Sequence, residues 1–542
     1  MRELPPIPFD HYLTWDETTG FLDEAAAAFG ELVSVDAIGQ TPEGRQLWCA
    51  QITAPCDDPS AKPAYLVQAV VHAQEVAGTT AALHLVKHLL EGWERDAGIR
   101  RLLEDVVFYV VPRMNPDGAE FTLRTGGSIR SRNAPRVRRN GLVQGDVNGD
   151  GLILWMRKED PCGNLREHPQ DGRLLIPREA GDGAGPFYFA YPEGFVQDWD
   201  GGPVVHAERS ADFNRNWGAN WRPEYEQGGA GDFPFSQPEM RALAEFIYAH
   251  PNIFGILGYH CGCNSVLRPP SSGSDDDILP ADLEKMREIG LRGEDITGFR
   301  LRAVVDYRLD KSKPIALRGH FHDWGYRHLG LFVYEIELGN IYNSRGVTTE
   351  QYFASDDEER REYDLLALQW HDENPQKGAY IDWQPFDHPQ LGRVEIGGWR
   401  RHFLANPLSE DMATIAPRCT EFVLDHARRH PRLVITKVSV EPIEGRIYRL
   451  RATVMNTGDL PTQITELGHR IVQNEPVRVE IRGAEVLSRG GVAELGQLAG
   501  ISGYRDLEWF VRARPGDIVQ ISACAPKAVD SRAVVTIPEG TV

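Results

Sequence analysis

His72-Ala73-Gln74-Glu75 sets an imidazole and a carboxylate three residues apart in one short stretch. The run before it, Ala64-Tyr65-Leu66-Val67-Gln68-Ala69-Val70-Val71, is apolar and rich in β-formers, and reads as a strand covered on both faces. The run after it, from about Thr79 to Leu90, carries Ala82, Leu83, Leu85, Val86, Leu89 and Leu90 at helical spacing. The strand is expected to end at His72 and turn into that helix. In open α/β sheets ligands bind in the crevice beyond the carboxyl ends of the strands. An imidazole and a carboxylate there suit a borderline divalent cation that accepts nitrogen and oxygen. His-x-x-Glu alone arises often by chance, so the reading rests on what else reaches the same edge.

Two more apolar runs reach it. Ile253-Phe254-Gly255-Ile256-Leu257-Gly258-Tyr259 leads straight into His260. Leu331-Phe332-Val333-Tyr334-Glu335-Ile336-Glu337 carries two carboxylates, which a buried strand does not hold without a purpose. Three protein ligands, one open position for water and a carboxylate to take the water's proton make up a catalytic zinc centre. Glu335 and Glu337 point to the same face, because strand side chains alternate with period two. Glu337 lies nearer the carboxyl end and is favoured as the base, with Glu335 as a supporting group.

On these pieces the chain resembles the zinc carboxypeptidases of the M14 (carboxypeptidase A-like) family. The matching motifs stand in the family's order: His72-x-x-Glu75, Asn115-Pro116-Asp117-Gly118, Asp212-Phe213-Asn214-Arg215-Asn216-Trp217, His260, Asp323-Trp324 and Glu337-Leu338. The resemblance covers about residues 10–430. It implies one Zn²⁺ per chain held by His72, Glu75 and His260, with Glu337 as general base. It also implies that Asn214 and Arg215 clamp a substrate's terminal carboxylate, a role that suits Arg215's planar fork of donors. Counting without gaps from the Asn115 motif places the oxyanion arginine at Arg130, with Arg132 as the neighbouring alternative. His322, just before Asp323-Trp324, falls where the family forms its side-chain pocket. The family's mobile tyrosine falls on Ile315, with Tyr307 nearby, and Gln74 stands where pancreatic-type members have arginine; both departures bear on side-chain preference.

Of 542 residues, 41% are hydrophobic and 25% charged, the proportions of a globular protein too long for one ordinary core. A net charge of −21 argues against nucleic acid or an anionic membrane as partner. The N-terminus reads as no signal peptide, and no apolar run approaches a transmembrane length. Seven cysteines without a pairing pattern, Cys261 and Cys263 among them, read as reduced and structural, and point to the cytoplasm.

The expected fold is an α/β catalytic domain over residues 1–430, with a mostly parallel mixed sheet flanked by helices, followed by a small all-β sandwich over 431–542. A first helix is expected over about Asp10 to Phe29 and a closing helix near Ser409 to Arg429. Residues 132–210 have no sustained period and read as an ordered loop insertion. Within it, Asp146, Asn148 and Asp150 alternate like the ligands of a Ca²⁺ loop, but position twelve is Arg157, so a polar turn competes with a calcium site. Arg124 to Arg139 holds six arginines, a solvated loop or an anion-facing wall. His206 and His320 read as ordinary polar residues.

The leading functional expectation is removal of C-terminal residues from peptides with a free carboxylate. A related zinc amidohydrolase acting on N-acyl amino acids or cell-wall peptides is the second reading. A binding protein of the same fold is the third.

Overall fold

The computed structural model describes residues 2–539 except 134–138, 206–209, 308–316, 356 and 489. The N-terminal part is built on one eight-stranded sheet. Its strands are β1 (Val33–Gln40), β2 (Gln46–Ile52), β3 (Ala64–Ala69), β4 (Val107–Val111), β5 (Ile253–His260), β6 (Ser265–Arg268), β7 (Arg300–Ala303) and β8 (Phe332–Glu337), in the order β1-β2-β4-β3-β5-β8-β6-β7. The central pairings β4-β3, β3-β5 and β5-β8 are parallel. The first hairpin and its junction with β4 are antiparallel. Every residue of β3, β4, β5 and β8 is buried, as their continuous apolar runs require.

Helices cover both faces, among them α1 (Trp15–Phe29), α2 (Ala77–Arg95), α3 (Pro116–Thr125), α4 (Pro280–Thr297), α5 (Phe321–Leu329) and α6 (Met412–Ala427). The first helix starts at Trp15 rather than Asp10 because Thr14 and Glu17 form a reciprocal capping box there. The strand before the His72 motif stops at Ala69, not at His72. Val70 takes a left-handed backbone, φ 56°, which a β-branched residue adopts at a cost of about 1–3 kcal/mol and only where its surroundings enforce it. That kink drops residues 71–76 out of the sheet and into the crevice.

The insertion is not a loop region. Trp155–Glu159, Leu165–Glu167, Leu175–Pro177 and Phe187–Pro192 join Tyr380–His388 and Gly392–Trp399 in a six-stranded antiparallel sheet. Its short strands and partners two hundred residues away leave no local period to read. The Asp146 turn within it is self-capped: Asp146 accepts from the Gly149 and Gly151 amides, Asn148 from Asp150, and Asp150 from Leu152. Arg157 is engaged with Glu395 and Glu167 in that sheet. These contacts account for the motif as a polar turn, and the calcium expectation gains no support.

The C-terminal part is all-β. Leu433–Glu444, Ile447–Asn456, Tyr504–Arg512 and Glu485–Val486 form one four-stranded sheet, and Arg478–Arg482, Val492–Glu494, Ile518–Cys524 and Ser531–Thr536 form another. Tyr448, Trp509, Val479 and Ile521 pack between them in a separate core. The segment around Leu460 and Ile464 instead joins the core of the α/β part. All seven cysteines are free. Among the described residues no helix is long and apolar enough to cross a membrane.

Under the sheet, α3 carries Glu120, which is buried with Arg113 at 3.2 Å and also accepts from the Trp15 amide at 2.6 Å. Arg113 is held further by Thr79 and the Leu13 carbonyl, so this pair ties α1 and α2 to α3. Glu120→Ala leaves a buried guanidinium without its counter-charge and is expected to destabilise the fold by about 3–5 kcal/mol. Urea unfolding checks this, and a loss below about 1 kcal/mol would show the pair to be incidental.

Candidate metal centre and active site

The kinked loop after β3 is fixed from one side by Asn115. Its Nδ2 donates to the Val71 carbonyl at 2.9 Å and to the Arg130 carbonyl at 2.8 Å, while its Oδ1 caps α3 through the Gly118 amide. Gly118 must be glycine, because a β-carbon there would sit 2.6 Å from that of Ala73. The Asn-Pro-Asp-Gly motif is therefore a bracket that clamps the His72 loop and the Arg130 loop together. From the other side Asn406 holds the loop, donating to the Gln74 carbonyl and accepting from the Ala77 amide. Asn406 stands 332 residues from Gln74, and no spacing in the sequence marks it.

On this support His72, Glu75 and His260 offer ligand atoms that all lie within 4.8 Å of one another. His72 Nδ1 is 2.8 Å from Glu75 Oε1, His260 Nδ1 is 3.1 Å from Glu75 Oε2, and the two Nδ1 atoms are 3.3 Å apart. The outer nitrogen of His72, Nε2, donates to Asp212 Oδ1 at 3.0 Å. With its proton there, the Nδ1 lone pair is directed inward. Two imidazole nitrogens and a carboxylate converging in a buried space fit a divalent cation of zinc's ligand preference. The donor set thus passes the test of fit that the sequence motif could only pose.

Asp212 is signalled in the sequence by its position two residues before Asn214. Against the cost of burial, Arg215, His72 and Arg130 hold its carboxyl well below the usual range. Arg130 lies 3.0 Å from Glu75 and 3.8 Å from Asp212, so the structure brings Arg130 to the ligand set. Arg132 turns away to Glu43 and stacks over Phe121.

The parallel register sets His260 opposite Glu337 and Gly258 opposite Glu335. Glu337 Oε2 is buried without a hydrogen-bond partner, and burial followed by the charge of Glu75 pushes its carboxyl up to about 8. Glu335 is the opposite case. Its oxygens lie 3.3 Å from His260 Nε2, 3.3 Å from His322 Nδ1 and 3.3 Å from Asn214 Nδ2. Despite burial, His260 above all holds it well below the usual carboxylate range. Glu337 is the free carboxylate and Glu335 the engaged one.

Asn214 and Arg215 part company in the structure. The Asn214 carboxamide is turned away from the open cleft, with Oδ1 accepting from the Phe321 amide and Nδ2 facing Glu335 and His320. Arg215 donates to the Asn214 carbonyl and lines a cavity of about 680 Å³ with Arg130, Asp212, Arg132 and Arg401. His322 is fully buried, donating from Nε2 to the Leu267 carbonyl at 3.2 Å. Burial and the Glu75 and Glu337 charges push the Cys261 thiol up, and it donates to Asn406 rather than offering a thiolate. Tyr307 does reach the site: its hydroxyl and Glu337 Oε2 both crowd the open side of Gly262. Ile315 and His206, and Arg136 and Arg138 of the arginine-rich stretch, lie outside the described residues.

The family model described as zinc carboxypeptidase matches residues 18–362. The chain belongs to the zinc carboxypeptidase family. A second model, described only as a domain of unknown function, matches residues 432–536. Among curated relatives, a zinc carboxypeptidase of Saccharothrix mutabilis subsp. capreolus is 26% identical over 153 residues, which is 28% of this chain and 34% of that protein. Carboxypeptidase O of Homo sapiens is 22% identical over 387 residues, 68% of this chain and 83% of that protein. Carboxypeptidase B of Astacus astacus is 25% identical over 162 residues and is matched over 52% of its length. The chain thus spans about a third to a half of the Saccharothrix and Astacus relatives. Among solved structures, carboxypeptidase A from Helicoverpa armigera aligns with a TM-score of 0.40 at 19% identity, over 61% of this chain and 66% of that one.

His260→Ala removes one of the three converging ligands, and the purified variant is expected to lose most of its zinc on dialysis. Metal analysis by atomic absorption checks it; full zinc retention would remove His260 from the ligand set.

Proposed function

We propose that this protein is a zinc metallocarboxypeptidase that hydrolyses the amide bond next to a free C-terminal carboxylate. The observation that carries the reading is the free, buried oxygen of Glu337 beside three converging ligands, two strand residues from a carboxylate that is fully engaged. Zinc held by His72, Glu75 and His260 would supply a Lewis acid and lower the pKa of a water in the open coordination position.

The residues around it then have separable tasks. Glu337 takes the proton of the attacking water and delivers it to the leaving amine. Arg130, held over Glu75 and Asp212, stands where a fixed positive charge stabilises the oxyanion. Arg215 faces the cavity and pairs with the substrate's terminal carboxylate. Asp212 fixes the His72 ring. The cavity of about 680 Å³ is large enough for a short peptide end. The seven unpaired thiols fit a reducing compartment such as the cytoplasm.

Glu337→Gln cannot accept the water's proton. Activity on a peptide substrate is expected to fall about 10²–10⁴-fold in kcat at unchanged zinc content. Glu335→Gln at equal zinc content should retain more activity; the reverse ranking would transfer the base role to Glu335.

Recognition of the free carboxylate is tested with one peptide in acid and amidated forms. Losing a charged hydrogen-bonding partner is worth about 1.5–3 kcal/mol, so Arg215→Ala should lower kcat/KM for the acid form about 10–150-fold. The amidated form should change far less. Equal rates on both forms by the unmodified protein would contradict a C-terminal exopeptidase.

A further inference from the structure

His320, His322 and Glu335 form a second buried group of metal-ligand types, with ligand atoms within 4.8 Å of one another, directly behind the first. The direction of each hydrogen bond decides what that group does. The Phe321 amide donates to Asn214 Oδ1 at 2.9 Å, so the other end of that carboxamide is the NH₂ group. It lies 3.2 Å from His320 Nε2 and 3.3 Å from Glu335 Oε1. Only an acceptor can face an amide N–H, so His320 carries its proton on Nδ1. That proton points at His322 Nδ1, 3.2 Å away, which must accept. His322 therefore carries its proton on Nε2, where the Leu267 carbonyl takes it at 3.2 Å.

The chain is complete with both rings neutral. A second metal would need the His320 Nδ1 lone pair, and would force a proton onto Nε2 against the Asn214 amide. One buried acceptor–acceptor approach is left, His322 Nδ1 to Glu335 Oε2 at 3.3 Å.

Glu335 Oε1, the oxygen that also faces the Asn214 amide, lies 3.3 Å from His260 Nε2, close enough for its charge to act there although the two are not aligned as a hydrogen bond. A negative carboxylate beside Nε2 favours the tautomer with the proton on that nitrogen, which leaves the Nδ1 lone pair for the first site. Asp212 acts on His72 in the same sense, there through an aligned hydrogen bond at 3.0 Å. A carboxylate behind a ligand imidazole fixes its tautomer and ring orientation and strengthens it as a ligand. Gly258, paired with Glu335 across the sheet, keeps the place open: a β-carbon there would lie 3.1 Å from Glu335 Cγ and 2.5 Å from Gln68 Nε2.

We propose that Glu335 is a positioning residue for the metal ligand His260, and that Asn214, with His320 and His322 behind it, holds Glu335 for that task rather than binding the substrate's carboxylate. The inference rests on the zinc reading above. It assigns carboxylate recognition to Arg215 alone of the Asn-Arg pair, and it makes the second histidine cluster a hydrogen-bonded support.

The test measures zinc affinity by competition with a chelator, independently of activity, in the full chain and its variants. Glu335→Gln is expected to weaken zinc binding about 10–100-fold and to shift the visible absorption of the Co²⁺-loaded protein. Asn214→Ala, which removes the donors to Glu335 without touching the first site, should weaken zinc binding in the same direction. It should change KM for a free-acid peptide far less than Arg215→Ala does. If Glu335→Gln does not fold, Asn214→Ala decides alone. Zinc affinity of the folded variants within twofold of the unmodified protein would overturn the inference. So would two zinc ions per chain, one of them lost in His320→Ala. Failure of the unmodified protein to bind zinc would remove the catalytic reading and this inference together.

Discussion

The parallel register between Ile253–His260 and Phe332–Glu337 is the constraint on which the site depends. It sets His260 level with Glu337 at the sheet's carboxyl edge and Gly258 level with Glu335 one layer deeper. A slip by one residue would turn both carboxylates to the opposite face, because strand side chains alternate. Burial on both faces of the two strands, with Ile256, Leu257, Val333 and Ile336 packed in one core, holds that register.

Charge is arranged around this edge so that no buried carboxylate stands alone except the one with work to do. Asp212 has His72, Arg215 and Arg130; Glu75 has both ligand histidines and Arg130; Glu335 has His260 and Asn214. Among the described residues, Glu337 is the carboxylate that keeps a buried oxygen without a hydrogen-bond partner. In an interior where an unpaired charge is expensive, burial and the neighbouring Glu75 charge push the Glu337 carboxyl upward. The same economy of partners distinguishes two glutamates that the strand periodicity treats as equivalent.

The brackets around the centre are as informative as its ligands. Val70 is held in a left-handed backbone, and Asn115, Gly118 and Asn406 enclose the loop that follows it. Strain of this kind persists only where the surroundings over-determine the conformation. Here it aims two ligands, His72 and Glu75, out of the sheet and at the ring that arrives from the neighbouring strand.

The sequence by itself determined the buried strand runs around the site, the carboxyl ends at His260 and Glu337, and the change to an all-β pattern after about residue 431. Hydrophobic period and the position of a residue within its own strand are local properties, and Ala64–Ala69, Ile253–His260 and Phe332–Glu337 express them directly. The six-stranded sheet of the insertion was not legible, because its strands there are three to six residues long and Trp155–Glu159 pairs with a strand more than two hundred positions away. Asp212 and Asn406 could not be assigned for a similar reason: each acts on a residue more than a hundred positions distant. The direction in which Asn214 turns its amide, and hence which of two neighbouring motif residues faces the cleft, was decided only by the tertiary structure. A side-chain hydrogen bond is set by what lies within about 3 Å, and only the folded chain fixes that.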